Sequence, residues 1–124
     1  MLSMVNVAMA AEALVLGLKQ GLDPAVLYKV VNAGNGTSVA WRDRAPQMIR
    51  REFEPAVRIY ADVAFKDISL AIETAQEVGS PALISSVVRE LYNALRSNGG
   101  GKLHYAAIVT VFERMANFEV RGDV

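Results

Sequence analysis

Apolar residues recur at helical spacing along nearly the whole chain, and the residues between the runs are those that end and start helices. The first run, 2–18, carries Leu2, Val5, Val7, Met9, Leu14, Val15 and Leu18, with alanines filling much of the remainder, and Gly21 follows as a stop. Asp23-Pro24 then offers an N-cap with proline at the first helical position, so a short helix is expected over 24–33, ending at Gly34. After the tight connection Asn35-Gly36-Thr37, Ser38 caps a stretch, 39–51, that Pro46 is expected to break into two short helices. Phe53-Glu54-Pro55 reads as a non-helical link.

One long helix is expected over 57–78, closed by Gly79, and Ser80-Pro81 reads as the cap and first position of the next. That helix places Leu83, Ile84, Val87, Val88, Leu91 and Leu95 on one stripe and ends at Asn98-Gly99-Gly100-Gly101. A last helix over 103–117 groups Ile108, Phe112 and Met115 on one face. The alternation in 102–105 is too short to predict a strand. The expectation is an all-α, multi-helix bundle forming a single helical domain over 1–124. Its first helix is apolar nearly all round, so it belongs at the centre of the bundle or at a dimer interface.

Composition narrows the class without naming the chemistry. At 124 residues the chain can bury a core without staples, and its 13 basic and 13 acidic side chains cancel. Zero net charge removes the electrostatic footprint of a nucleic-acid binder. The absence of cysteine excludes a disulfide scaffold and any thiolate metal site. The first run raises the question of a signal peptide or membrane span, but its first basic residue is Lys19, and Asn6 and Glu12 interrupt it. A core helix and a cytoplasmic location fit better than a membrane.

Few residues invite a chemical role. The sole histidine, His104, has no acidic residue at helical spacing to orient it and no second metal ligand, so it reads as structural and no metal site is expected. Neither Gly34-Asn35-Gly36 nor 99–101 has the spacing of a phosphate-binding loop, and both read as helix-ending turns. Arg42, Arg44, Arg50 and Arg51 are interleaved with Asp43, Glu52 and Glu54, the composition of a salt-bridged surface. Trp41 reads as the anchor of a short helix. Lys66-Asp67 stands out in the middle of an apolar helix. Asp62, four residues earlier, is the ion-pair partner that helical spacing predicts for Lys66, and a cation at a cleft edge is the functional alternative.

Seven short motifs occur in a specific order: Ala11-Glu12-Ala13-Leu14, Gly21-Leu22-Asp23-Pro24, the run 31–38, Arg44-Ala45-Pro46, Phe53-x-Pro55, Lys66-Asp67-x-x-x-Ala71 and Gly79-x-Pro81. The series spans nearly the whole chain and resembles the C-terminal helical domain of the β-hydroxyacid dehydrogenases. These are the 3-hydroxyisobutyrate dehydrogenase-like enzymes, related to 6-phosphogluconate dehydrogenase. The resemblance implies a Rossmann domain upstream that binds NAD or NADP, and a general acid/base lysine a few residues before Met1. Neither is present here, so no catalytic residue is expected within the chain. It further implies that Lys66 lies near the nicotinamide and an anionic substrate, that Asp67 orients Lys66 or the helix, and that Phe65 lines the pocket. Where the family's pattern has Asp-x-Ser before the last helix, this chain has His104 and Ala106. The segment 55–66 is also longer than in the pattern.

Two functions follow as expectations. In the first, the chain is the substrate-binding and dimerising half of an NAD(P)-dependent 3-hydroxyacid dehydrogenase that acts on a small hydroxy acid. It would be inactive alone, as a truncation, a proteolytic product or one part of a split gene. In the second, it is a stand-alone, non-catalytic helical interaction module. Both expect a homodimer or higher oligomer through the helical domain.

Overall fold

The computed structural model describes residues 1–54 and 59–124. They form six α-helices: α1 (Leu2–Lys19), α2 (Pro24–Ala33), α3 (Val39–Ile49), α4 (Ala61–Glu77), α5 (Leu83–Leu95) and α6 (Val109–Ala116). A π turn (Arg96–Gly100) follows α5, and a 3-10 turn (Tyr105–Ile108) leads into α6. No strand occurs among the described residues, only an isolated antiparallel bridge between Tyr60 and His104.

Helix α1 runs through the middle of the bundle, against α2, α3, α5, α6 and the 3-10 turn. It buries Val7, Ala8, Ala10, Ala11, Leu14, Val15, Gly17 and Leu18. The small residues let neighbouring helices approach closely. At Gly17 a Cβ would come within 2.6 Å of a Leu27 methyl on α2, so a larger residue there would require the Leu27 side chain to shift. By length and composition α1 could cross a membrane, yet this packing is that of a core helix.

The local signals place α2 where expected: Asp23 accepts a hydrogen bond from the Val26 amide at 2.9 Å, and Pro24 opens the helix. Ser38 likewise caps α3 through the Trp41 amide, and Trp41 anchors that helix in the core.

Pro46 does not break α3, contrary to expectation. A proline inside a helix leaves the carbonyl four residues back without its donor. Here that carbonyl, on Arg42, accepts a hydrogen bond from the Tyr28 hydroxyl at 3.0 Å instead. The helix therefore continues to Ile49.

Three other expectations are corrected. Helix α4 begins at Ala61, not at 57; positions 57 and 58, like Pro55 of the proposed link, lie outside the described residues. Ile59 and Tyr60 are held out of the helix because the Ile59 carbonyl accepts from the Tyr105 amide at 3.0 Å. The first α4 amides, Ala61 and Asp62, donate to the carbonyls of Leu103 and Gly101 at 2.9 and 3.0 Å. These bonds satisfy donors that any helix start leaves open.

Helix α5 begins at Leu83, past Ser80-Pro81, and its core side is Ser85, Val88, Tyr92 and Leu95. The edge of its apolar stripe formed by Leu83, Ile84 and Val87 is exposed. The last helix starts at Val109 after the 3-10 turn; Ile108 is buried, but Met115 points to solvent.

Candidate functional site

The residues singled out by sequence lie on the first half of α4. Lys66 and Asp67 are adjacent on its outer face, with Lys66 Nζ 2.8 Å from Asp67 Oδ1 and side chains 64% and 45% exposed. The expected pairing of Lys66 with Asp62 is not formed. Asp62 instead accepts from Arg96 Nε at 2.7 Å and lies 3.0 Å from Lys102 Nζ. Those two cations hold its carboxyl below the usual carboxylate range, the Arg96 hydrogen bond contributing most. Arg96 also covers the ring of the half-buried Phe65, 4.1 Å from its centroid. Phe65 thus supports the Asp62 cluster, while Lys66 and Asp67 form the open surface beside it.

The consequence for Lys66 is electrostatic. With Asp62 held by Arg96 and Lys102, the only acidic side chain on the Lys66 ammonium among the described residues is its exposed neighbour Asp67. An exposed pair of this kind is worth on the order of 0–1 kcal/mol. An incoming carboxylate or phosphate can therefore recruit Lys66 at small cost. On an open helix face, however, the ammonium is hydrated and weak; it gains strength only when another surface covers it and excludes water.

Arg96 and Lys102 were not identified from sequence, because the Asp62–Arg96 contact closes over 34 residues. One signal was present in the glycine run 99–101. A Cβ at position 101 would lie 2.6 Å from Asp62 Oδ1, so the run serves a close approach as well as a turn.

His104 is structural, as expected. It is buried, its Nδ1 accepts from the Ala106 amide at 3.1 Å, and its ring packs on Tyr105. Burial, helped by the nearby Arg44 guanidinium, lowers its pKa to about 4. Of the arginine cluster, only Arg50 pairs within it as expected among the described residues, with Glu52; Arg51 instead pairs with the buried Glu113 at 2.7 Å, and Arg44 lies over the Tyr105 ring. No group of metal-ligating side chains occurs among the described residues.

The described residues do not by themselves fit a dinucleotide site. Such a site is built on a glycine-rich turn between a strand and a helix, and no strand is present among them. The glycine run is already filled: added Cβ atoms at Gly100 and Gly101 would collide with Leu95 and Asp62. What the described residues offer on α4 is an exposed Lys-Asp pair, beside a set of apolar helix faces.

A bundle with no strand among the described residues, packed around a long central helix, matches the helical C-terminal domain of the hydroxyacid dehydrogenases. The chain belongs to that family: residues 1–112 match the family described as NAD-binding of NADP-dependent 3-hydroxyisobutyrate dehydrogenase. Among its relatives, L-threonate dehydrogenase of Cupriavidus necator is 29% identical over 90% of this chain and 37% of its own length. The 2-hydroxy-3-oxopropionate reductase of Escherichia coli K12 is 30% identical over 93% of this chain and 39% of its own. The crystal structure of a 3-hydroxyisobutyrate dehydrogenase from Salmonella typhimurium superposes with a TM-score of 0.83 at 27% identity, over 90% of this chain and 38% of that one. The chain thus spans less than two fifths of the length of these relatives.

Proposed function

We propose that the chain is the helical half of an NAD(P)-dependent 3-hydroxyacid dehydrogenase, a single domain over 1–124 that works only together with a Rossmann domain. In the assembled enzyme the nicotinamide cofactor supplies hydride exchange with a small 3-hydroxy acid. This chain contributes Lys66 as an electrostatic anchor for the anionic substrate beside the nicotinamide. Asp67 orients the ammonium, and Phe65 braces the neighbouring wall through Arg96. The relatives' names, all of dehydrogenases or reductases of oxygenated acids, support this substrate class. The proton on the substrate hydroxyl falls to a lysine outside this chain, so the chain alone is inactive. A cytoplasmic location and self-association through the helical domain complete the reading.

The observation that carries it is the exposed Lys66, which no packing role requires. In a complete enzyme containing this chain, Lys66→Ala should lower kcat/KM by about a hundredfold, the scale of losing one preorganised electrostatic partner. Because the side chain is exposed, Tm should stay within the small range of surface substitutions. Unchanged turnover in Lys66→Ala would instead favour the non-catalytic interaction module.

A further inference from the structure

The bundle leaves one side of its central helix uncovered, and that side has a pattern. Met9 and Leu16, 56% and 62% exposed, lie two helical turns apart on the outward line of α1, and Leu22, 49% exposed, lies just beyond its end. Beside them, α1 and α6 border an open apolar groove of about 630 Å³, lined by Val15, Leu16, Phe112 and Met115. Glu12 and Lys19 line the same groove. They also stand two turns apart, on a single flank of the apolar line. Among the described residues neither makes an ion pair, and Lys19 donates only to the Ala116 carbonyl at the end of α6.

Opposite charges one heptad apart on one flank make a self-complementary edge. If a second α1 runs antiparallel about a two-fold axis at Leu16, the same flanks face each other and Glu12 meets the partner's Lys19, twice over. The same register sets Met9 against the partner's Leu22, and Leu16 against itself. A parallel arrangement would turn that flank toward the partner's opposite flank, which carries the uncharged Asn6 and Ala13, and would leave both charges unpaired. The charge pattern therefore selects both the occupant, a second copy of this chain, and its direction.

We propose that two copies of this chain dock α1 against α1 in antiparallel fashion, centred on Leu16 and clasped by two Glu12–Lys19 pairs, with the α1–α6 groove receiving the partner's apolar side chains. This rests on the proposed self-association and specifies its surface.

The test is sedimentation equilibrium on the 124-residue chain as wild type, Glu12→Lys, Lys19→Glu and the double exchange, with circular dichroism confirming helical content. Each single reversal should raise the dimer Kd about tenfold or more by opposing like charges, and the double exchange should restore it. In parallel, Leu16→Cys, the only thiol in a cysteine-free chain, should be joined to its partner by a short bismaleimide, and Val87→Cys on the exposed face of α5 should not. A dimer indifferent to the reversals, a double exchange that fails to restore affinity, or crosslinking at Val87→Cys rather than Leu16→Cys would overturn this surface while leaving self-association standing. A wild type monomeric at all concentrations would overturn both.

Discussion

His104 shows how one residue replaces a familiar cap. At the position where the family's pattern carries an aspartate, the imidazole Nδ1 accepts the Ala106 amide and starts the 3-10 turn. That role requires the neutral ring. Burial and Arg44 keep it neutral, moving its pKa from 6.5 to about 4. The unfolded chain then binds a proton that the folded chain refuses. This contribution to stability is complete above pH 6.5, falls as pH drops toward 4, and is constant below. Its size is about 3 kcal/mol over that window. Urea unfolding between pH 7.5 and 4.5 should show the loss, and His104→Asn, which can cap without titrating, should flatten it; an equal slope in the variant would contradict the account. Asp62 acts in a lower window, since its depressed pKa matters only below the ordinary carboxylate value of 3.8. Tyr92 gives a prediction of opposite sign. Its hydroxyl is fully buried without a hydrogen-bond partner among the described residues, so Tyr92→Phe should raise stability by about 1 kcal/mol in the same assay.

At the scale of elements, what could be read from sequence divides by the range of the signal. Asp23-Pro24 and Gly34 are local punctuation, and α2 has the expected bounds. The start of α4 depends on backbone bonds from 59–62 to 101–105, contacts that no window of sequence contains. The stripe on α5 was legible as apolar, but not that the bundle would take only its Ser85–Val88–Tyr92 side. Pro46 was misjudged for a similar reason, since the donor that replaces its missing amide is Tyr28, on another helix. This last case can be measured. Tyr28→Phe should cost about 1 kcal/mol in the parent chain. In a Pro46→Ala background, where residue 46 regains an amide for the Arg42 carbonyl, the same change should cost almost nothing, apart from any effect on Tyr28 packing against Trp41. Equal costs in both backgrounds would show that the hydroxyl does not cap that carbonyl.

At the scale of the whole molecule, the motif order made the family legible, while the geometry of its site was legible only in part. Lys66 and Asp67, singled out by their motif, form an exposed ion pair on α4. The Asp62–Arg96–Lys102 cluster that frees Lys66 was not singled out, because its members come from three segments joined only by folding. The surface presented is one-sided: a cation on an open helix face, and no described loop that could cradle a dinucleotide. The central claim is therefore that this chain contributes to a cofactor site it cannot form alone. The most direct measurement is a titration of the isolated 124-residue chain with NADH, followed by nicotinamide fluorescence. The account predicts no saturable change up to about 1 mM, far above the micromolar range of a formed site. Saturable binding with a micromolar Kd, abolished by Lys66→Ala, would contradict it by showing that the helical chain holds the cofactor by itself.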